Sequence, residues 1–263
     1  MNKERNSKIK KVRNIILIVI AAAVLLSAVI IGMCLLNERP GLQTIAAYQN
    51  SFTAAVIDIE EDGGVEILPD EDADLKTGIV FYVGAQITPD AYIPLLARLA
   101  EQGYSCFIPD LTCNMAALEP NAAEEIMNTH SEIASWYLAG HSMGGLTASG
   151  FACDHADEVK GLILLAAYLN RDMSNLNIPV LAIFGDTDGV MNKALYDKRM
   201  PWNPSDFEEY VIPGANHAQF GDYGRQPRDN DALISAEDQQ KQTADIMAGW
   251  LDRHEGVGER NEQ

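Results

Sequence analysis

Leu138-Ala-Gly-His-Ser-Met-Gly-Gly-Leu146 is the stretch whose reading decides the fold. Apolar residues Trp136 to Ala139 lead into it as a strand, and the small residues Gly145 to Ala152 leave it as a helix. Between them Gly140-His-Ser-Met-Gly144 has the Gly-x-Ser-x-Gly spacing of a nucleophile elbow. A strand that delivers a serine into so tight a turn drives its backbone toward strained angles, and glycines on both sides remove the Cβ atoms that would clash. The Ser142 hydroxyl is then held out on the rim of a sheet. Five residues match such a pattern by chance often enough that the surrounding chain has to carry the argument.

Outward from the elbow, short apolar runs alternate with helical stretches. Ile79 to Val83 reads as a buried strand, Pro89 to Gln102 as a helix, Tyr104 to Ile108 as a strand and Pro120 to His130 as a helix. Downstream come strands Gly161 to Ala166 and Val180 to Phe184, helix Val190 to Arg199, strand Phe207 to Ile212 and helix Ala236 to Leu251. Repeated strand-helix units with nearly continuous apolar strands imply an α/β fold: a mostly parallel, doubly wound sheet with helices on both faces. Ahead of it, Thr53 to Glu60 and Val65 to Leu68 flank Glu61-Asp-Gly-Gly64 and read as a hairpin that starts the sheet antiparallel. Acidic Asp70-Glu-Asp-Ala-Asp74 lacks the glycine and terminal glutamate of a calcium loop and reads as a solvated loop.

The chain has 263 residues, 47% of them hydrophobic, which suits one large core plus an extra segment. That segment is Ile15 to Leu36, 22 residues without a charge. As a helix it spans about 33 Å, enough for a hydrocarbon core of about 30 Å. Leu, Ile, Val and Ala occupy every side, so it lacks the amphipathic face of a buried globular helix. A cleaved signal peptide has a shorter apolar core, and Ala21-Ala-Ala23 lies in the middle of the run. Met33 is bulkier than the residue that lipoprotein processing at Cys34 prefers. An uncleaved signal anchor is the expectation.

Residues 1–14 then form a cytoplasmic basic tail, 15–36 the transmembrane segment, 37–49 a tether and 50–263 the main domain. Lys3, Arg5, Lys8, Lys10, Lys11 and Arg13 precede the apolar run and only Arg39 follows it closely, so the main domain is expected outside the cytoplasm. The formal net charge is -19, and the remainder beyond residue 13 holds 13 basic against 37 acidic residues. With no basic cluster there, a nucleic-acid partner is not expected. Cys106, Cys113 and Cys153 have no metal-ligand spacing, and either a Cys106–Cys113 disulfide or buried free thiols fit them.

In a doubly wound sheet, reactive groups gather beyond the carboxyl ends of the strands. Three such loops hold chemistry. Ser142 follows the elbow strand, Gly185-Asp-Thr-Asp-Gly189 follows the Val180 strand, and Pro213-Gly-Ala-Asn-His217 follows the Phe207 strand. Serine attacks only if a neutral imidazole takes its proton, the part that suits His217. A carboxylate on the other ring nitrogen fixes the tautomer, a part for Asp188, with Asp186 as the alternative acid. Two backbone donors must meet the oxyanion: the Met143 N–H, and that of Ala85 or Gln86 in the loop after the Ile79 strand. His141 reads as a packing neighbour of the elbow, His130, His155 and His254 as surface residues, and Asp222 and Tyr223 as pocket rim or turn.

Tyr82-Val-Gly-Ala85, Gly140-His-Ser-Met-Gly144, Gly185-Asp-Thr-Asp188 and Gly214-Ala-Asn-His-Ala-Gln-Phe-Gly-Asp-Tyr-Gly224 resemble the α/β-hydrolase superfamily from about Gly78 to Leu251, and within it a lidless, bacterial dienelactone-hydrolase-like branch. The resemblance implies a triad of Ser142, Asp188 and His217 that hydrolyses an ester or related acyl bond, with no metal and no organic cofactor. Dienelactone hydrolases use a cysteine nucleophile where serine stands here, so their lactone substrate does not carry over. Only about a dozen residues separate the Gly161 and Val180 strands, too few for an inserted cap, and an open site is expected. The substrate would be a small-molecule or surface-polymer acyl ester. A catalytically silent binding or scaffold domain on the same fold is the alternative.

Overall fold

The computed structural model describes residues 2–36, 39–60, 63–70 and 76–256. By internal contact the chain divides into two units, Met1–Glu38 and Arg39–Gln263. The first is a helix, α1 (Asn2–Leu36). Its stretch Lys10–Val29 has a mean hydropathy of 2.5 with none of it buried, so its length and composition are those of a candidate membrane span. The expected run to Leu36 lies wholly within this helix.

The second unit is built on eight strands: β1 (Ala55–Ile59), β2 (Val65–Pro69), β3 (Thr77–Tyr82), β4 (Ser105–Ile108), β5 (Ser135–His141), β6 (Gly161–Leu165), β7 (Val180–Gly185) and β8 (Phe207–Ile212). Their order across the sheet is β1-β2-β4-β3-β5-β6-β7-β8. β2 runs antiparallel to β1 and β4, and every other pair is parallel. This is the expected sheet with an antiparallel start. Glu61, Asp62 and the acidic stretch 71–75 lie outside the described residues.

Among the described residues six α-helices pack with the strands: α2 (Ile45–Ser51) before β1, α3 (Ile93–Ala100), α4 (Ala122–Thr129), α5 (Met143–Asp154) and α6 (Lys193–Arg199) between strands, and α7 (Ala236–Glu255) after β8. Alternation along β5 shows that both sheet faces are covered. Tyr137 meets Trp250 of α7 edge-on at 5.8 Å, whereas a Cβ on Gly140 would strike Gly144 and Gly145 of α5. Residues three apart on a strand point to opposite faces, so α7 and α5 lie on opposite sides. The strands between them are fully buried, as parallel strands covered on both faces must be.

Two expectations shift. The segment 37–49 is folded from Arg39 onward: the Arg39 N–H donates to the Gln86 carbonyl at 2.8 Å, the Leu42 N–H donates to that of Asp222 at 2.7 Å, and Tyr48 of α2 is buried in the core. Polar letters concealed this, because the attachment is by backbone bonds and one aromatic side chain. His130, His155 and His254 also lie closer in than expected, each packed on an aromatic ring: Phe107 at 4.5 Å, Phe151 at 4.0 Å and Trp250 at 4.3 Å. An imidazole has an apolar face as well as polar edges, and helix polarity alone does not reveal which is used.

Among the cysteines, Cys106 and Cys153 are free and Cys113 is disulfide-bonded. A Cys106–Cys113 bridge is therefore excluded, and so is a set of three free thiols.

Candidate active site

Sheet register brings the three loops to one edge. Tyr82 pairs with Gly140, His141 with Leu165, Leu165 with Ile183 and Gly185 with Ile212. Val83, Ser142, Asp186 and Pro213 therefore leave the sheet on the same rim. From β3 the chain goes out to β4 and returns to β5, so the β3 and β5 loops flank the point where the winding reverses, the place where such sheets bind ligands.

Ser142 sits there at φ 54°, ψ -117°, in a region that costs a non-glycine residue about 1–3 kcal/mol. The glycines make that turn possible. A Cβ on Gly144 would lie 2.0 Å from the Tyr82 carbonyl oxygen, and one on Gly140 would lie 2.5 Å from the Gly144 carbonyl carbon. Strand β3, elbow and α5 thus approach closer than any side chain allows. The Ser142 N–H is tied to the Leu165 carbonyl at 2.9 Å, which fixes the turn against β6.

Two of the sequence-selected residues meet directly. His217 Nδ1 lies 2.8 Å from Asp188 Oδ2, with side chains 1% and 2% exposed. Asp188 Oδ1 accepts the N–H groups of Val190 at 2.7 Å and Met191 at 2.8 Å. Burial pushes the Asp188 carboxyl upward, but the hydrogen bond and charge of His217, with those two amide donors, hold it below the ordinary carboxylate value. An ionised carboxylate can only accept, so the hydrogen between the two groups sits on His217 Nδ1. His217 Nε2 is buried and has no hydrogen-bond partner among the described residues. Asp186 takes a different place: its Oδ1 accepts the Gly214 N–H at 2.6 Å and closes the turn after β8.

Three backbone donors of the loop after β3 are engaged. Gly84 N–H donates to the Tyr92 hydroxyl at 3.0 Å, Gln86 N–H to the Asn114 carbonyl at 2.8 Å and Ile87 N–H to the Gly84 carbonyl at 3.1 Å. Ala85 N–H has no such partner among the described residues. Met143 opens α5, and its N–H has no carbonyl one helical turn back. Among the described residues, the Ala85 and Met143 N–H groups thus stay without a partner on this rim, whereas the Gln86 donor is used.

His141 is fully buried behind the elbow. Its Nδ1 lies 2.8 Å from the Tyr92 hydroxyl, which already accepts from Gly84 and so offers its own proton to the imidazole. Burial, then the charge of His217, hold the His141 pKa well below its usual value, so the ring stays neutral. It packs on His217 at 4.6 Å and on Phe220 at 5.7 Å, as a packing neighbour would. Tyr92 and Asn114 carry no motif. A buried tyrosine in an apolar helix and an asparagine acting through its backbone leave no trace in residue pattern. Asp222, one of the two rim candidates, accepts from the Tyr48 hydroxyl at 2.7 Å and fastens the N-terminal segment instead.

Strand order, elbow and loop placement agree with one further finding: the model of the alpha/beta hydrolase family matches residues 78–241. The chain belongs to that family. Solved structures with this fold include Est1E from Butyrivibrio proteoclasticus, at 14% identity and TM-score 0.53 over 77% of this chain and 99% of that one. An alpha/beta hydrolase enzyme, MGS-MChE2, from the metagenome of lagoon sediments of Mar Chica, Morocco, matches at 14% identity and TM-score 0.56 over 76% and 99%. A predicted CIB-like hydrolase from Thermoplasma acidophilum matches at 16% identity and TM-score 0.53 over 74% and 99%. No curated protein matches in sequence.

Membership of the alpha/beta hydrolase family supports a hydrolase and directs attention to the carboxyl edge of the sheet rather than to two other features. A cleft of about 680 Å³ runs between Glu66, Phe107, Asp110, Glu125 and His130 and includes none of the loop residues above. Asp206, Glu208 and His254 place three possible metal donors within 4.8 Å, but they gather at the amino end of β8, and Glu208 already pairs with Arg253 at 2.8 Å.

Proposed function

We propose that this protein is a membrane-anchored serine hydrolase that cleaves an ester or related acyl bond through Ser142, His217 and Asp188. The observation that carries the reading is the buried His217–Asp188 pair, whose Nε2 has no hydrogen-bond partner among the described residues and lies in a loop on the same rim as the strained Ser142. His217 Nε2 would take the Ser142 proton as Oγ bonds to the acyl carbon. The oxyanion would be met by the Met143 and Ala85 N–H groups, with Gln86 set aside because its donor is engaged. Collapse would break the bond to the leaving alcohol, which receives the proton from His217 and leaves an acyl-Ser142. Water, deprotonated by His217, would then release the carboxylic acid and restore the serine.

The free rim supports an open site. Residues 166–179, between β6 and β7, contain no helix, so no cap is inserted there. A small acyl ester, or an acylated surface polymer, fits that arrangement. The serine at the elbow sets this chain apart from cysteine-based dienelactone chemistry within the branch it resembles. The basic residues that precede the apolar run of α1 favour a cytoplasmic N-terminus, with the domain on the far side of the membrane.

A fluorophosphonate probe tests the chemistry on the full chain in detergent. Wild type should be labelled and Ser142→Ala should not. Equal labelling of both, or none of the wild type, sinks the esterase reading and leaves a silent binding domain. Protease added to intact cells tests the topology: the main domain should be digested.

A further inference from the structure

Asp229 lies in the segment between the His217 loop and α7, and no motif marks it. Its carboxylate gathers four backbone donors. Oδ1 accepts from Gly189 N–H at 3.0 Å, His217 N–H at 3.3 Å and Asn230 N–H at 3.0 Å, and Oδ2 accepts from Ala218 N–H at 2.8 Å. Gly189 is the residue after Asp188, and His217 is the imidazole donor itself. One side chain therefore grips the backbone within one residue of both members of the buried pair.

We propose that Asp229 is a positioning residue that sets the Asp188–His217 geometry; this rests on the triad reading above. The neighbouring residues are arranged to place it. Arg228 adopts φ 71°, a left-handed conformation that an arginine takes at a cost, and its carbonyl approaches so closely that a Cβ on Gly189 would lie 2.6 Å from it. Asn230 extends the clip in both directions, with Nδ2 donating to the Thr187 carbonyl at 2.9 Å and its own carbonyl accepting from Asn216 Nδ2 at 2.8 Å. Thr187 also bonds directly to Ala215, with its N–H at 3.0 Å and its hydroxyl at 2.6 Å from the Ala215 carbonyl. That direct link fixes the loops at residues two removed from His217 and one removed from Asp188. Among the described residues, only the Asp229 carboxylate joins Gly189 to the His217 and Ala218 amides. Hydrogen bonds to an ionised acceptor are roughly twice as strong as neutral ones, so four converging on one carboxylate make a stiff joint. Without it the His217 loop could shift relative to Asp188 while the rest of the fold stayed in place.

The test compares Asp229→Ala with Asp229→Asn in the full chain in detergent, with p-nitrophenyl acetate as the probe. The alanine variant should lose about 10²-fold in kcat, the scale expected for catalytic groups displaced by about 1 Å, with KM within about twofold of wild type. The asparagine variant keeps an oxygen that Gly189, His217 and Asn230 can share, and its NH2 must turn away from the Ala218 N–H, whose bond is lost; with three of the four bonds kept it should recover about tenfold of that loss. Wild-type kcat in D229A, or an equal fall in D229N, overturns the proposal. The low-field proton signal of His217 Nδ1–H gives a second readout that needs no turnover. It should persist in D229N and broaden away in D229A, and its persistence in D229A overturns the proposal. If the wild type fails to hydrolyse the probe, the functional reading has failed, while the proton signal still decides the role of Asp229. Should D229A not fold, Asp229→Ser serves in the same comparison.

Discussion

Replacing Asp188 by asparagine tests the site at a single atom. Asp188 Oδ1 holds the Val190 and Met191 N–H groups at 2.7 and 2.8 Å, so an asparagine at 188 keeps its carbonyl oxygen there and is forced to present its NH2 group to His217. Two donors cannot face each other across 2.8 Å. The imidazole must then lose its Nδ1 proton, carry it on Nε2 and become unable to accept the proton of Ser142. Loss of the correct tautomer costs about 10⁴-fold in kcat in a serine triad, or about 5.5 kcal/mol of transition-state stabilisation. Asp186→Asn supplies the contrast. Its side chain accepts one bond, from Gly214 N–H at 2.6 Å, and an amide oxygen can accept the same bond. The change should leave kcat within about threefold and cost no more than about 1 kcal/mol of stability, the usual value of one hydrogen bond. Initial rates of p-nitrophenyl acetate hydrolysis, with thermal melting as a check on folding, decide the matter. D188N retaining a tenth or more of wild-type kcat, or D186N proving the inactive variant, would refute the reasoning.

Gly144→Ala should fail to fold or lose several kcal/mol in urea unfolding, because its Cβ would lie 2.0 Å from the Tyr82 oxygen and 2.4 Å from that of Val83, both rigid backbone; a melting temperature within a few degrees of wild type would contradict this. The depressed Asp188 pKa stabilises the fold fully above its unfolded value, near 3.8, and is lost as pH falls through the lower folded value. The stability gap between Ser142→Ala and Ser142→Ala/Asp188→Asn should therefore be constant near pH 6 and shrink below about pH 4, and a gap that instead widens in acid would reverse the sign of the coupling. Native alkylation should reach half-buried Cys153 and spare Cys106, whose thiol burial pushes up; Cys113 should react only after reduction, and its reaction without reductant would show it free. A version beginning at Arg39 should keep wild-type kcat, whereas one beginning at Asn50 should lose stability and activity together; equal behaviour would show that 39–49 are dispensable.

Most of the fold was legible because its strands are buried on both faces. β3, β5, β6 and β7 stand out as apolar runs at regular intervals, and loop chemistry at their carboxyl ends follows from topology. Ser142, Asp188 and His217 could be proposed from sequence because acyl transfer calls for those residue types after those strands, and the structure adds the His217–Asp188 contact. The supporting contacts were hidden for a shared reason. Asn114 acts through its carbonyl, and Tyr92 and Asp229 bind backbone N–H groups, so their partners have no side-chain identity for a pattern to show. Asp186 and Asp188 look alike in the sequence, and only the fold separates them: Asp188 meets His217 and Asp186 accepts the Gly214 N–H.

The same blindness to backbone bonding explains why the segment after the apolar helix looks like a tether and is not one. Arg39 donates to the Gln86 carbonyl and accepts from the Thr88 N–H, at 2.8 and 3.1 Å, which adds a short strand-like rung to the loop that presents the Ala85 donor. Gly41 N–H reaches Asp90 Oδ2 at 3.0 Å, and Tyr48 joins Asp222, three residues beyond Gln219 in the His217 loop region. Residues 39–48 thus touch the Ala85 loop and the His217 side of the rim at once. Burial raises the Tyr48 hydroxyl pKa, with the Asp222 bond adding to it, so this clamp stays protonated and donating across the working pH range. A flexible linker would serve an anchor equally well if the segment had no other task. Its ordered bonds to both sides of the rim make it part of the scaffold around the loop that carries Ala85, and the second compact unit therefore starts at Arg39.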